Sequence, residues 1–440
     1  MNKIYHSGWF YRLVKFLVML GFRLYYKNIS INGKEKIPKD AALIFAANHR
    51  NALMDPLSIT LLTPPAKTTS FLARGDVFKN KIFAAILRIA KVMPAFRMRD
   101  GYALLKNNDA VFDECVALLE QNHTLCLMPE GGQETAHHVR PLVKGIFRIA
   151  FAVQRLHPKQ KLYIIPVGLH FDNIYNFQKQ LTINVGDAID MADFTNRYTE
   201  NPAIATNEIK TRLHESIKQN CLHLEPLEHH DALLLLLQFA EKSCEIQQLS
   251  SSQTLLNKQI NALKLKVLAE NDLEKFRQLC ALAKTYDAKL RGYKIQHRNV
   301  VRLNSNIKLA TEFMLLLFTF PLFATGLLLN AMPFFMPVLI RKMLQIKYHG
   351  FYSSIQFALG LLLFPLFYGI QGVFVAHLVG FSLGWLPLVW VSFFAIGKFS
   401  FAWYCKYKQV LGNVRFQTLP SLHKEQMFDM QHKIQSEISR

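Results

Sequence analysis

Apolar residues Phe10, Leu13, Leu17, Leu20 and Leu24 recur at helical spacing, with Arg12, Lys15 and Arg23 elsewhere on the wheel and Trp9 and Tyr11 at one end. Residues 1–28 therefore read as an amphipathic helix that lies in a bilayer interface or packs on a neighbouring core. From Ile29 the pattern changes to short β-like runs separated by turn residues: Ile29 to Gly33, Lys36 to Asp40 and Ala41 to Ala47. Ala42-Leu43-Ile44-Phe45-Ala46 is continuously apolar, as in a strand buried on both faces. Thr69 to Ala73, Thr124 to Met128 and Leu162 to Val167 repeat that character. Between them lie the helical stretches Lys79 to Ile89, Ala110 to Glu120 and Val143 to Gln154. Alternating strands and helices predict an α/β domain over residues 29–228, with a largely parallel sheet flanked by helices.

Residues 229–308 are polar and helix-prone and read as a helical arm. Leu255, Leu256, Ile260, Leu263, Val267 and Leu268 are expected to form its apolar face. Residues 309–405 form a membrane block that shows in the charge alone. Phe313 to Ile340 carries no Asp, Glu, Lys or Arg, and neither does Phe351 to Gly397. At about 20 residues per span the second stretch holds two helices, turning near His377 to Gly380. A single crossing by the first would leave Arg341, Lys342 and Lys347 outside, against the positive-inside tendency. A shallow hairpin turning at Asn330 to Pro333 is therefore expected there, with residues 406–440 following as a polar cytoplasmic tail.

The formal charge of +21 suits a polyanionic partner. No helix-turn-helix, zinc-finger or RNP-type signature supports nucleic acid, whereas the basic residues border apolar segments, so anionic phospholipid is the expected partner. The six cysteines are scattered without a C-x-x-C pair, which suggests neither a zinc site nor a disulfide framework. The charges interrupting residues 1–27 argue against a signal peptide. His137-His138 and His229-His230 lack the third ligand and spacing of a metal site. No metal and no cofactor is expected.

Two stretches carry chemistry. Asn48-His49-Arg50-Asn51-Ala52-Leu53-Met54-Asp55 sets a histidine before a carboxylate at a distance that allows them to meet if a strand ends at Ala47 and a helix begins just after. A histidine can take the proton of an alcohol near neutral pH. A carboxylate on its other ring nitrogen fixes the tautomer and stabilises the imidazolium. Pro129-Glu130-Gly131-Gly132 follows a buried strand, where ligands commonly bind and where glycines let backbone amides approach an anion. Taken singly, each stretch is more often structural than functional.

Asn48-His49 with Asp55, Pro94-Ala95-Phe96-Arg97, Met128-Pro129-Glu130-Gly131 and Ile165-Pro166-Val167-Gly168, in that order, resemble the four motif blocks of the glycerolipid acyltransferases, a family that includes glycerol-3-phosphate and 1-acylglycerol-3-phosphate acyltransferases. The resemblance covers roughly residues 29 to 215 and implies that family's fold. It implies a His49–Asp55 catalytic dyad. Acceptor phosphate would be bound by Arg97 or Arg99 with Asn48, Pro129, Glu130, Gly131 and Gly132. Ile165, Pro166, Val167 and Gly168 would shape the acyl-donor side. Five residues, Arg50 to Met54, separate the dyad where the common pattern has four, which is similar to the fungal-type glycerol-3-phosphate acyltransferase branch and its bacterial relatives. Gly132-Gln133 replaces the pair that often follows Pro-Glu-Gly, and Arg140 and Lys144 can add positive charge there. The implied activity is acyl transfer from acyl-CoA or acyl-carrier protein to glycerol-3-phosphate or its monoacyl derivative, on the cytoplasmic face of a membrane, with a bacterial inner membrane favoured. A lysophospholipid-remodelling acyltransferase or transacylase and a non-catalytic membrane scaffold remain as rivals, the intact His49, Asp55 and Glu130 weighing against the scaffold.

Overall fold

The computed structural model describes residues 8–64, 68–96, 107–240, 250–301, 305–380 and 382–439. They divide into two compact units, one running up to His223 and taking in Tyr348–Ser354, the other formed by Leu224–Lys347 and Ile355–Arg440.

The first unit is built on a sheet whose strands are β1 (Asn28–Asn32), β2 (Ala42–Ala47), β3 (Thr69–Arg74), β4 (Val92–Ala95), β5 (Thr124–Leu127), β6 (Leu162–Phe171), β7 (Gln180–Val185) and β8 (Ile189–Asp190). Their order is β1-β7-β6-β2-β5-β3-β4, with β8 on β6. The pairs β1–β7, β2–β5, β2–β6, β3–β4 and β3–β5 are parallel, and β6 pairs antiparallel with β7 and β8. All six residues of β2 are buried, as its unbroken apolar run predicts. Helices α1 (Trp9–Tyr25), α2 (Met54–Thr60), α3 (Lys81–Ile89), α4 (Asn107–Glu120), α5 (Gly145–Leu156), α6 (Thr195–Glu200) and α7 (Pro202–Asn220) accompany it. One core joins Ile44 of β2 to Leu119 of α4, Phe147 and Phe151 of α5, and Ile209 and Leu213 of α7.

One local reading changes. Lys36 to Asp40 is not a strand: a short 3-10 turn occupies Lys34–Lys36 behind Gly33, whose φ of 74° favours glycine. In α1 the apolar face is not covered by the sheet. Trp9, Phe10, Leu13, Phe16, Leu17 and Leu20 are exposed, while the helix buries Phe22 and Tyr25 at its end. The Tyr26 ring then meets Phe171 of β6 at 6.0 Å.

The second unit is helical. It contains α8 (His230–Ala240), α9 (Ser251–Asn271), α10 (Leu273–Gly292), α11 (His297–Val301), α12 (Asn306–Met343), most of α13 (Tyr352–Val379), α14 (Leu386–Gln417) and α15 (Ser421–Ser439). The face expected on α9 is largely not the buried one. Leu256, Ile260, Leu263 and Val267 are exposed, and Leu255, Ala262 and Leu265 face inward. Residues 406–439 complete α14 and form α15, which packs on α8 and α10 and buries Met427, Ile434 and Ile438.

The expected hairpin at Asn330 to Pro333 is corrected to one continuous 38-residue helix, α12, with Pro321, Pro333 and Pro337 inside it. Proline at 333 leaves the carbonyl four residues earlier without its helical donor. That carbonyl, on Leu329, accepts instead from Gln371 Nε2 at 3.0 Å. Asn330 Nδ2 donates to Gly326 O at 2.9 Å and to Phe393 O at 3.2 Å, and Tyr368 Oη donates to Asn330 Oδ1 at 2.6 Å. Neighbouring helices thus satisfy the groups that were expected to break the helix. The turn near Gly380, at φ 75°, stands as expected. Among the described residues, three helices are long and apolar enough to cross a membrane: Asn306–Met343, His349–Val379 and Leu386–Gln417.

Candidate active site

β2 stops at Ala47 and α2 starts at Met54, which places Asp55 in the first turn of a helix facing back along the loop it has just left. One carboxylate oxygen closes that loop. Asp55 Oδ2 lies 2.8 Å from His49 Nδ1 and accepts from Arg50 N and Asn51 N, both at 2.7 Å. The Asp55 side chain is 1% exposed and that of His49 is 19% exposed. A histidine held by the carboxylate at Nδ1 keeps Nε2 for a substrate proton.

The second motif holds the histidine from the other side. β5 ends at Leu127, and the following turn places Gly131 at φ 67°. Glu130 Oε1 accepts from His49 N at 3.1 Å, while Glu134 N donates to His49 O at 3.2 Å. Both backbone groups of His49 are therefore taken by residues 130–134. Burial pushes the Glu130 carboxyl up to about 8, against the pull of the His49 and Arg140 amides and the Arg140 charge. At Gly132 a Cβ would stand 3.1 Å from Arg140 Nη1, so the glycine leaves this guanidinium unobstructed. Arg140 also reaches Glu134 at 3.8 Å.

The other predicted residues separate by role. Asn48 gives its amide to β6, accepting from Leu169 N at 2.7 Å and donating to Leu169 O at 3.0 Å, which anchors the loop to the sheet rather than leaving the amide for a substrate. Pro129 O accepts from Val143 N at 2.7 Å and ties the turn to the approach of α5. Ile165, Pro166, Val167 and Gly168 lie buried within β6, where Ile165 to Val167 pair with β2 and Val167 and Gly168 pair with β7. A Cβ at Gly168 would come within 2.1 Å of the Asn220 carbonyl oxygen, so the glycine admits the end of α7. Pro94 and Ala95 close β4, while Arg97 and Arg99 lie outside the described residues.

Arg50 stands out beyond the expected set. Its guanidinium, almost wholly buried, donates through Nε and Nη2 to Thr135 O at 3.2 and 2.6 Å and meets His137 Nδ1 at 3.2 Å. Burial lowers its pKa to about 10, with Asp55 opposing. Its place in the His49–Asp55 interval did not mark this role in the sequence. Arg50 lies in that interval and binds the dyad loop to the segment after the second motif.

Residues 28–170 match the family model described as Acyltransferase. This segment is an acyltransferase-family domain. The acyltransferase domain includes β1 to β5, nearly all of β6, the dyad and the Glu130 turn. Among curated proteins the chain is similar to glycerol-3-phosphate O-acyltransferase 1 of Saccharomyces cerevisiae, 23% identical over 112 residues, which are 26% of this chain and 15% of that protein. Among solved structures it is similar to the 1-acyl-sn-glycerophosphate (LPA) acyltransferase PlsC of Thermotoga maritima, at 18% identity and a TM-score of 0.35 over 48% of this chain and 77% of the other.

Proposed function

We propose that this chain transfers a fatty acyl group from a thioester donor, acyl-CoA or acyl-carrier protein, to a hydroxyl of glycerol-3-phosphate or 1-acylglycerol-3-phosphate at the cytoplasmic face of a membrane. The observation that carries this reading is the 2.8 Å contact of His49 Nδ1 with a buried Asp55, inside a segment that matches the Acyltransferase family model. The curated relative's name supports a glycerol-phosphate acceptor.

His49 Nε2 removes the proton of the acceptor hydroxyl as its oxygen attacks the thioester carbonyl. Asp55 holds the imidazolium that forms. The tetrahedral intermediate collapses by breaking the carbon–sulfur bond, and the thiolate leaves with the proton that His49 took. The acceptor hydroxyl takes the place of a protein nucleophile, so no acyl-enzyme is required. Arg140 beside Gly132 supplies positive charge for the acceptor phosphate, and Arg97 and Arg99 are proposed to join it. The amphipathic α1 and the net charge of +21 support docking on anionic phospholipid. The test is acyl transfer by the purified protein with glycerol-3-phosphate and lysophosphatidate as acceptors. Turnover of either supports the proposal and the ratio assigns the acceptor; turnover of neither, with lysophospholipids accepted instead, moves the protein to a remodelling role.

A further inference from the structure

Tyr348–Ser354 lies in the sequence between two apolar helices but belongs to the sheet unit. Its last residues, Tyr352, Ser353 and Ser354, are the first turn of α13, a helix otherwise apolar enough to cross a membrane. Both serines are buried, at 2% and 6% exposure. Ser353 Oγ donates to Asn51 Oδ1 at 2.7 Å, and Ser354 Oγ accepts from Leu53 N at 3.1 Å. Asn51 and Leu53 flank Ala52, whose φ of 20° is a conformation an alanine rarely adopts. The two serines therefore grip both neighbours of the strained residue in the loop that joins His49 to Asp55. Asn51, itself fully buried, uses its backbone N–H on Asp55 Oδ2. The same segment reaches the second motif, where Tyr348 Oη donates to Gln133 O at 3.2 Å.

We propose that Ser353 and Ser354 are positioning residues for the His49–Asp55 dyad, so that the first turn of an apolar helix some 300 residues downstream fixes the geometry of the catalytic loop. The proposal rests on the acyl-transfer reading of that dyad. Neither serine touches the reacting atoms. Their effect runs from the Asn51 side chain and the Leu53 amide, through the backbone around Ala52, to the carboxylate oxygen that Asn51 N and His49 share. A dyad released from this brace samples misaligned geometries, which slows the chemical step without removing any group that binds substrate. A threonine at 353 keeps the hydroxyl and with it the donor to Asn51.

The test compares full-length wild type with S353A, S354A, the double variant S353A/S354A, S353T and Y352F, reconstituted in the same lipid, with H49A as the blank. Expected are a kcat of S353A/S354A lowered about 10- to 100-fold, KM values for donor and acceptor within about twofold of wild type, and a kcat for S353T restored to near the wild-type value. Hydrogen exchange over residues 49–55, followed without substrate, should quicken in S353A/S354A and stay unchanged in Y352F. Unchanged kcat and exchange in the double variant, a change in KM alone, or no rescue by threonine would overturn the proposal. Should wild type prove inactive, the acyl-transfer reading fails, and exchange over residues 49–55 still decides whether the serines hold the loop.

Discussion

At the scale of single residues, the site concentrates its hydrogen bonds on one atom, Asp55 Oδ2, which takes three donors, and on both backbone groups of His49. D55N would replace a charged acceptor by an amide and disfavour the tautomer that leaves Nε2 basic. We expect kcat to fall by about 10^4-fold with little change in acceptor KM, read in steady-state kinetics. Glu130 gives a prediction in pH. Its carboxyl holds a proton up to about 8 in the folded chain and releases it near 4.5 when exposed. The folded state then binds more protons over that interval, so stability falls as pH rises from about 4.5 to about 8. E130Q keeps an acceptor for His49 N but carries no titration, and thermal melting in detergent should show a flatter pH dependence, the difference being on the order of 5 kcal/mol across the window. His49, Asp55 and the Glu130 turn were legible in the sequence because residue type and order carry their chemistry. Arg50, Ser353 and Ser354 were not, since their significance lies in a contact that no local pattern encodes.

At the scale of elements, β2, β3, β5 and β6 followed from apolar runs of the kind a buried strand of a parallel sheet presents. β7 was missed because Gln180 to Val185 mixes Gln, Thr and Asn with apolar residues, and its antiparallel pairing with β6 is decided by the tertiary contact. The continuous α12 was misread for a different reason. Prolines and Asn330 count as breakers in a sequence read alone, while the donors that compensate them, Gln371 and Tyr368, lie on another helix. The exposed faces of α9 show the same limit, because helical spacing marks an apolar stripe without saying whether anything covers it. Gly168 provides the test at this scale. G168A would drive a methyl into the Asn220 carbonyl of α7, so a loss of about 2–3 kcal/mol is expected, measured as a lower melting temperature. The KM for the acyl donor should stay unchanged in the protein that remains folded.

At the scale of the whole molecule, an acyltransferase-family segment and three helices able to cross a membrane sit in one chain. An enzyme with the proposed activity, whose donor chain and product are lipids, would gain from having both in one chain, since the acyl chain need not cross water. The apolar helices predict that the protein stays with the membrane fraction through alkaline carbonate washing. Release into the supernatant would show that these helices pack with protein rather than lipid. Whether the whole assembly is an acyltransferase depends on the dyad. The most direct measurement is the initial rate of labelled acyl transfer from acyl-CoA to glycerol-3-phosphate or lysophosphatidate by purified wild-type protein and H49A side by side. The account predicts product with wild type and a rate lowered by about 10^2- to 10^4-fold in H49A at unchanged folding; equal rates in the two proteins would contradict it.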